Sequence, residues 1–191
     1  MEKYLEGKKI KLVKFSDQYI IGKYLNWLND TQINKYIDSR RFPVVRGDVF
    51  VPNGEKNLMF SILSNVGINS GDSLWQDDDF NHFIGTCSIH NIDWINRKAE
   101  IGYMIGEKLY WGTGMATETV SLLTDYAFNK LNLNKLNAHV VANNQASCKV
   151  LLKNGYKQYA TEEQDFYLEG KYLDSYRFHN FAEWRNNGSI S

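Results

Sequence analysis

The order of apolar patterns along this 191-residue chain predicts an α/β protein of the α+β type, with a mixed and mostly antiparallel sheet. Three observations predict it: one strand precedes helical segments near the N-terminus, several strands follow one another in the middle, and a hairpin ends the chain. Consecutive strands exclude a doubly wound parallel sheet, in which helices alternate with strands. The length fits a single domain over residues 1–191.

The N-terminal half begins with an alternating apolar and polar strand at residues 8–15. Apolar residues then recur at helical spacing over residues 19–28, and Thr31 is suited to cap a second short helix through residue 37. The spacing of apolar residues also predicts a helix over residues 56–66. The polar residues 67–79 are expected to form a loop or hairpin tip.

The C-terminal half contains the clearest helix, at residues 115–131, where one apolar stripe repeats at helical intervals. A shorter helix is expected at residues 145–154, with Gly155 ending it. The strands of this half are expected at residues 83–92, 98–105, 135–142, 156–167 and 172–181.

Charge and composition narrow the classes of partner. The chain has 22 basic and 22 acidic residues, and no block of lysine or arginine suggests a nucleic-acid or membrane surface. No apolar run reaches the length of a membrane span. Cys87 and Cys148 fit neither a metal spacing nor a disulfide framework, so we expect a cytoplasmic protein with two free thiols.

The segment Trp111-Gly112-Thr113-Gly114-Met115-Ala116 connects a predicted strand to the long helix. Glycines allow positive φ and close approach to an anion, and the first N–H groups of a helix have no internal partner. A phosphate or diphosphate is the expected guest, although a plain helix-entry turn remains an alternative at this point. A Walker loop would need Gly-Lys, and Thr117 replaces the third glycine of a dinucleotide fingerprint.

The residues around this turn resemble the GNAT superfamily of N-acetyltransferases, and especially the group that acetylates ribosomal-protein N-termini and small amines. The likeness is strong from about residue 98 to residue 156. It implies a twisted sheet of about seven strands, split by a V-shaped cofactor slot, with about four helices. The segments that carry it occur in the family's order: Glu100 to Gly106, Tyr110 to Glu118, Ala138 to Val140, Asn143 to Ser147 and Asn154 to Tyr156.

The resemblance implies acetyl-CoA as co-substrate. Its pantetheine arm would lie along a bulged strand at Met104 and Ile105, and Asn144 matches an asparagine that bonds this arm, although asparagine also suits a plain helix cap. Trp111 stands where the family has arginine or glutamine, so the phosphates would depend on backbone amides. The residues expected to hold the diphosphate are Trp111, Gly112, Thr113, Gly114, Met115 and Ala116.

The implied chemistry is direct attack of an amine on the thioester. Glu100 is the expected base, with a purely structural ion pair as the alternative, and Tyr103 and His139 are weaker candidates. The family's tyrosine acid corresponds to Leu151 here. Ser147, one turn earlier on the same helix face, matches a serine that this group uses near the cofactor, so we expect it to protonate the thiolate.

The acceptor is expected to be a small-molecule or peptide amine, held by Trp27, Arg40 and Tyr103. A nucleotide-linked amino sugar is the leading candidate; a protein N-terminus, a polyamine or a non-catalytic acyl-CoA-binding module are the alternatives. No metal site is expected, because Asp72 and residues 77–79 match no loop with defined ligand positions. The oligomeric state is left open, with a homodimer among the alternatives.

Overall fold

A computed structural model describes residues 3–49, 53–65 and 82–182. Its strands are β1 (Lys3–Glu6), β2 (Ile10–Lys14), β3 (Asn53–Gly54), β4 (Asn57–Ser64), β5 (Phe83–Asp93), β6 (Lys98–Ile105), β7 (Lys135–Val141), β8 (Lys157–Leu168) and β9 (Lys171–Phe181). They form one sheet in the order β1-β2-β4-β5-β6-β7-β9-β8, with β3 paired to β4. Only β6 and β7 pair in parallel among these strands, which confirms the mixed, mostly antiparallel sheet.

The described residues contain three α-helices: α1 (Leu25–Asn29), α2 (Met115–Asp125) and α3 (Gln145–Lys153). A 3-10 turn and a π-helical turn precede α1, and another π-helical turn extends α2 to Lys130. The short helix expected at residues 31–37 is wrong, because this segment is a series of turns. The Asp30 carboxylate accepts the N–H of Gln32 at 2.8 Å, a local bond that competes with helix formation.

The helix expected at residues 56–66 is also wrong, since these residues contain strand β4. This strand lies between β2 and β5, and the side chains of Ile62 and Leu63 are completely buried. A strand covered on both faces has a continuous apolar run instead of alternation, and such a run can imitate helical spacing. Residues 67–79, expected to be a loop, lie outside the described residues, as do Asp72 and residues 77–79.

The core has two parts, one on each face of the sheet. Because side chains alternate along a strand, Ala99 and Ile101 of β6 point toward the face that α2 covers, and Glu100 points toward the other face. On that second face the N-terminal helical segment packs against the sheet. The two together bury a cluster formed by Val13, Phe15, Tyr19, Tyr24, Trp27, Leu63 and Phe83.

The sheet splits between β6 and β7. Their parallel ladder joins only Lys98, Ala99 and Glu100 to Lys135, Leu136 and Asn137. Beyond it both strands continue without pairing to each other, and this divergence is the predicted V-shaped slot. None of the helices in the described part of the chain is long and apolar enough to cross a bilayer. The cytoplasmic location stays a prediction.

The bulge expected at Met104 and Ile105 lies slightly later in the chain. Met104 and Ile105 remain in regular register with Thr86 and Gly85 of β5. The N–H groups of Gly106 and Glu107 then both donate to the carbonyl of Ile84, at 2.9 and 3.1 Å. Two residues opposite one is the pattern of a β-bulge, so the distortion follows the strand.

Gly106 provides a test of this packing, because the Trp27 ring lies directly against it and a Cβ atom at this position would overlap the indole. Gly106→Ala should lower the free energy of unfolding by about 2 kcal/mol, the usual cost of forcing atoms into a filled core. Denaturant unfolding measures this change. Gly47→Ala is the control, since nothing lies within 4 Å of a Cβ atom there. Equal stabilities of the two variants would contradict the packing described.

Candidate active site

The glycine turn precedes α2 and leaves the start of this helix without a side-chain cap. Gly112 and Gly114 have φ of +76° and +93°, in the left-handed region that favours glycine. Gly114 is the N-cap residue, and it has no side chain that could cap the first N–H groups of the helix. The first N–H groups of α2 are therefore available to an external acceptor such as a phosphate oxygen.

Side chains around the turn connect it to the end of β6. The indole N–H of Trp111 donates to the carbonyl of Ile105 at 2.7 Å. Thr113 Oγ1 donates to the carbonyl of Tyr110 at 2.6 Å. Met115 is 4% exposed, so its side chain belongs to the core and only its backbone can reach a ligand. The turn and the strand that borders the slot are thus held as one unit.

The start of α3 lies beside β6 on the helical face of the sheet. Asn144 caps α3, because its side-chain oxygen accepts the N–H of Ser147 at 3.2 Å. The Tyr103 hydroxyl lies 2.8 Å from Ser147 Oγ and donates to the Ser147 carbonyl at 3.2 Å. Burial raises the pKa of Tyr103 to about 12, against the opposing effect of its bond to Ser147. This pair connects the two sides of the slot.

Glu100 lies on the opposite face of β6 from Tyr103. One of its oxygens is 3.7 Å from Arg177 Nη1, and the other is 4.0 Å from His90 Nε2. Nδ1 of His90 lies 3.1 Å from Ser88 Oγ. Burial lowers the pKa of His90, with Glu100 opposing the shift, so the ring is neutral at pH 7. The sequence did not predict that His90 and Arg177 would lie beside Glu100. With these neighbours Glu100 can act either as a base or as a member of a structural ion pair.

His139 lies on the same face, in contact with two carboxylates. Its Nε2 atom is 3.5 Å from Glu162 and 3.0 Å from Asp165, close enough together to hold a metal ion. Arg177 Nε donates to the same Glu162 carboxylate at 2.9 Å and already neutralises it. We therefore interpret these groups as a network of polar contacts that extends from Glu100 through Arg177 and Glu162 to His139 and Asp165.

The predicted acceptor residues are not brought together in one cluster. Trp27 is only 6% exposed and packs against Phe83 with ring centroids 4.9 Å apart, so its described contacts are those of a core residue, and its role in acceptor binding stays a prediction. Arg40 lies with its guanidinium 3.6 Å from the centre of the Phe166 ring. It donates to the carbonyls of Ile37 and Tyr167 at 3.0 and 2.9 Å, and it links the N-terminal segment to β8.

Neither cysteine is positioned as a nucleophile. Cys87 and Cys148 are free and buried. Burial raises the pKa of both thiols, which keeps them protonated and unreactive at neutral pH. This agrees with a reaction that needs no covalent enzyme intermediate.

Comparison with known proteins identifies relatives over most of the chain. The family described as "Acetyltransferase (GNAT) domain" matches residues 10–157. An uncharacterized N-acetyltransferase of Bacillus licheniformis, p20, is 28% identical over 179 residues, which cover 92% of this chain and 93% of that protein. A spermidine N(1)-acetyltransferase of Vibrio cholerae is 27% identical over 103 residues, which cover 54% of this chain and 59% of that protein.

Solved structures show the same fold. The spermidine N-acetyltransferase of Vibrio cholerae, in complex with CoA and spermine, has a TM-score of 0.74 at 18% identity and covers 92% of this chain and 96% of that one. RimL, a ribosomal L7/L12 alpha-N-protein acetyltransferase in complex with coenzyme A, has a TM-score of 0.75 at 17% identity, covering 95% and 99%. At these identities the likeness concerns the fold.

Proposed function

This chain belongs to the GNAT acetyltransferase family, and on that basis we propose that it transfers the acetyl group of acetyl-CoA to a primary amine by direct attack on the thioester. It is an N-acetyltransferase, and acetyl-CoA is its co-substrate. The observation that carries the proposal is the slot between β6 and β7, with an uncapped helix start beside the end of β6. An extended arm with phosphates at one end fits this shape.

In the proposed complex the diphosphate of acetyl-CoA binds the N–H groups at Gly114 and the first turn of α2. The pantetheine arm runs along β6 at Met104 and Ile105, and the amide of Asn144 bonds it from the other side. Trp111 supports this arrangement indirectly, because its bond to Ile105 fixes the turn against the strand. The acetyl group then lies in the slot between β6 and β7, where it can be reached from both faces of the sheet.

Two groups flank that position from opposite faces. An alkyl ammonium must lose a proton before it attacks, and Glu100 accepts this proton directly or through water. The new C–N bond forms as the C–S bond breaks, and the electron pair leaves on the CoA sulfur. The new amide nitrogen then releases a second proton. Ser147 relays a proton to the thiolate, because its hydroxyl donates to the sulfur and recovers a proton from that nitrogen or from water, while Tyr103 orients the hydroxyl. Leu151, at the family's tyrosine position, is completely buried.

The charged side chains near Glu100 indicate which charge the acceptor amine should carry. Three carboxylates, those of Glu100, Glu162 and Asp165, lie in the contact network that contains the Arg177 guanidinium and His139. Arg40 is occupied by two carbonyls and an aromatic ring, and Arg41 lies 3.0 Å from Asp38. These contacts favour a cationic acceptor, such as a polyamine or a protein N-terminus, over an anionic nucleotide sugar. The amino-sugar acceptor and the homodimer stay predictions.

A panel of acceptors separates these substrate classes. Release of CoA thiol should be fastest with an amine that carries additional positive charge, because the carboxylates attract it. The panel needs a polyamine, a peptide with a free N-terminus and a nucleotide-linked amino sugar, each at low and high salt. Preference for the nucleotide sugar would reverse the acceptor assignment. No turnover with any amine, despite cofactor binding, would support the non-catalytic module.

Gly114→Glu tests the diphosphate site. The new carboxylate would occupy and repel the phosphate position, so the affinity for CoA should fall at least about tenfold. Calorimetric titration with CoA measures the affinity without an acceptor. Gly170→Glu is the matched control, because Gly170 also has a positive φ, of +83°, and faces open space in the β8–β9 turn. Unchanged affinity in the Gly114 variant would refute the location of the diphosphate.

Ser147→Ala and Glu100→Gln test the proton-transfer roles. Each should lower kcat roughly 10- to 100-fold while the KM for acetyl-CoA changes little, because proton transfer matters in the transition state. Steady-state kinetics with the best amine of the panel separate the two parameters. Ser121→Ala, on an exposed position of α2, should leave both unchanged. A higher KM with an unchanged kcat would assign the affected residue to binding.

A further inference from the structure

A lysine from the first hairpin reaches the glycine turn. Lys9 lies between β1 and β2, and its Nζ atom donates to the carbonyl of Thr113 at 2.8 Å. A Cβ atom added to Gly114 would lie 3.3 Å from the same nitrogen. The ammonium group is therefore held beside the turn that precedes α2, although 104 positions separate Lys9 from Thr113 in the chain.

The backbone of Lys9 is fixed independently of its side chain. Its N–H donates to the two oxygens of Glu118 at 3.0 and 3.3 Å. Glu118 lies in the first turn of α2, where a negative charge is favourable. This contact joins the hairpin to the start of the helix, so the turn should keep its position when the lysine side chain is changed.

The turn itself supplies no cation. Trp111 replaces the arginine or glutamine of the family pattern, and its single N–H donor is bonded to the Ile105 carbonyl. Lys108, the nearest lysine before the turn in the sequence, lies 2.7 Å from Asp30 and 2.8 Å from the Gln32 side chain. Both of these side chains are committed to other partners.

We propose that Lys9 binds the diphosphate of acetyl-CoA and supplies, from the hairpin, the positive contact that Trp111 does not make. An ammonium has three N–H donors, so the bond to Thr113 leaves two for phosphate oxygens. The bond to the Thr113 carbonyl orients the group before the cofactor arrives. This inference rests on the proposed location of the diphosphate at the glycine turn.

The test compares Lys9→Met with the unchanged protein on three ligands. Lys9→Met should weaken binding of CoA about tenfold, because the ammonium is exposed and a charged contact there is of modest strength. Dephospho-CoA, which keeps the diphosphate, should show the same loss. Pantetheine, which has no diphosphate, should bind both proteins equally. The difference for CoA should shrink as salt increases.

Two further variants control for structure. Lys9→Arg should restore most of the affinity, and Lys8→Met, at an exposed neighbouring lysine, should have no effect. An equal loss for pantetheine would assign Lys9 to the fold, and a loss for CoA that vanishes with dephospho-CoA would assign it to the 3′-phosphate. Either result, or no loss at all, overturns the proposal. If the diphosphate does not bind at the glycine turn, the Gly114→Glu variant should instead bind CoA with normal affinity.

Discussion

The short parallel ladder between β6 and β7 is the constraint on which the rest of the structure depends. It joins three residues of each strand and then ends, so the sheet is continuous at one side and open at the other. Backbone groups that face this opening lack a strand partner, and polar backbone groups away from water need one. An extended amide-containing arm such as pantetheine can supply those hydrogen bonds, which is why we propose the opening as the binding site for the cofactor arm.

The open end of the sheet is held by side chains. The Tyr103 hydroxyl from β6 reaches Ser147 on α3, across the slot. Asn154, at the end of α3, donates to the carbonyl of Thr117 in α2 at 3.1 Å. These bonds fix the distance between the two halves of the sheet on the helical side. The same contact places the hydroxyl pair of Tyr103 and Ser147 beside the slot, where the proposed reaction needs a donor for the thiolate.

Alternation along β6 places the proposed base, Glu100, and the partner of the proposed acid, Tyr103, on opposite faces of the strand. Tyr103 points toward the helices and the expected cofactor side, and Glu100 points toward the face of the N-terminal segment. Glu100 is also the first link of the ion pairs that continue through Arg177 to β8. The position of this carboxylate therefore depends on the final hairpin, and the charge around Glu100 depends on residues far from the glycine turn.

The sequence alone determined the features that local patterns encode. The glycine turn, the long helix after it, the paired strands before it and the final hairpin are all confirmed, because positive φ, apolar periodicity and turn residues are local properties. The slot in the sheet was predicted from the family resemblance and not from local patterns. The helix predicted over residues 56–66 failed because a strand buried on both faces has no alternation, and burial on both faces is a property of the sheet.

Only the tertiary structure decided which distant residues meet. His90 lies opposite Glu100 through strand register, and Arg177 reaches the same carboxylate from β9. Lys9 reaches Thr113 because the first hairpin is attached to α2 through Glu118. Trp27 packs closely on Gly106 because the bulge places this glycine beneath its ring. Such contacts follow from chain crossings and register, and neither periodicity nor motif spacing records them.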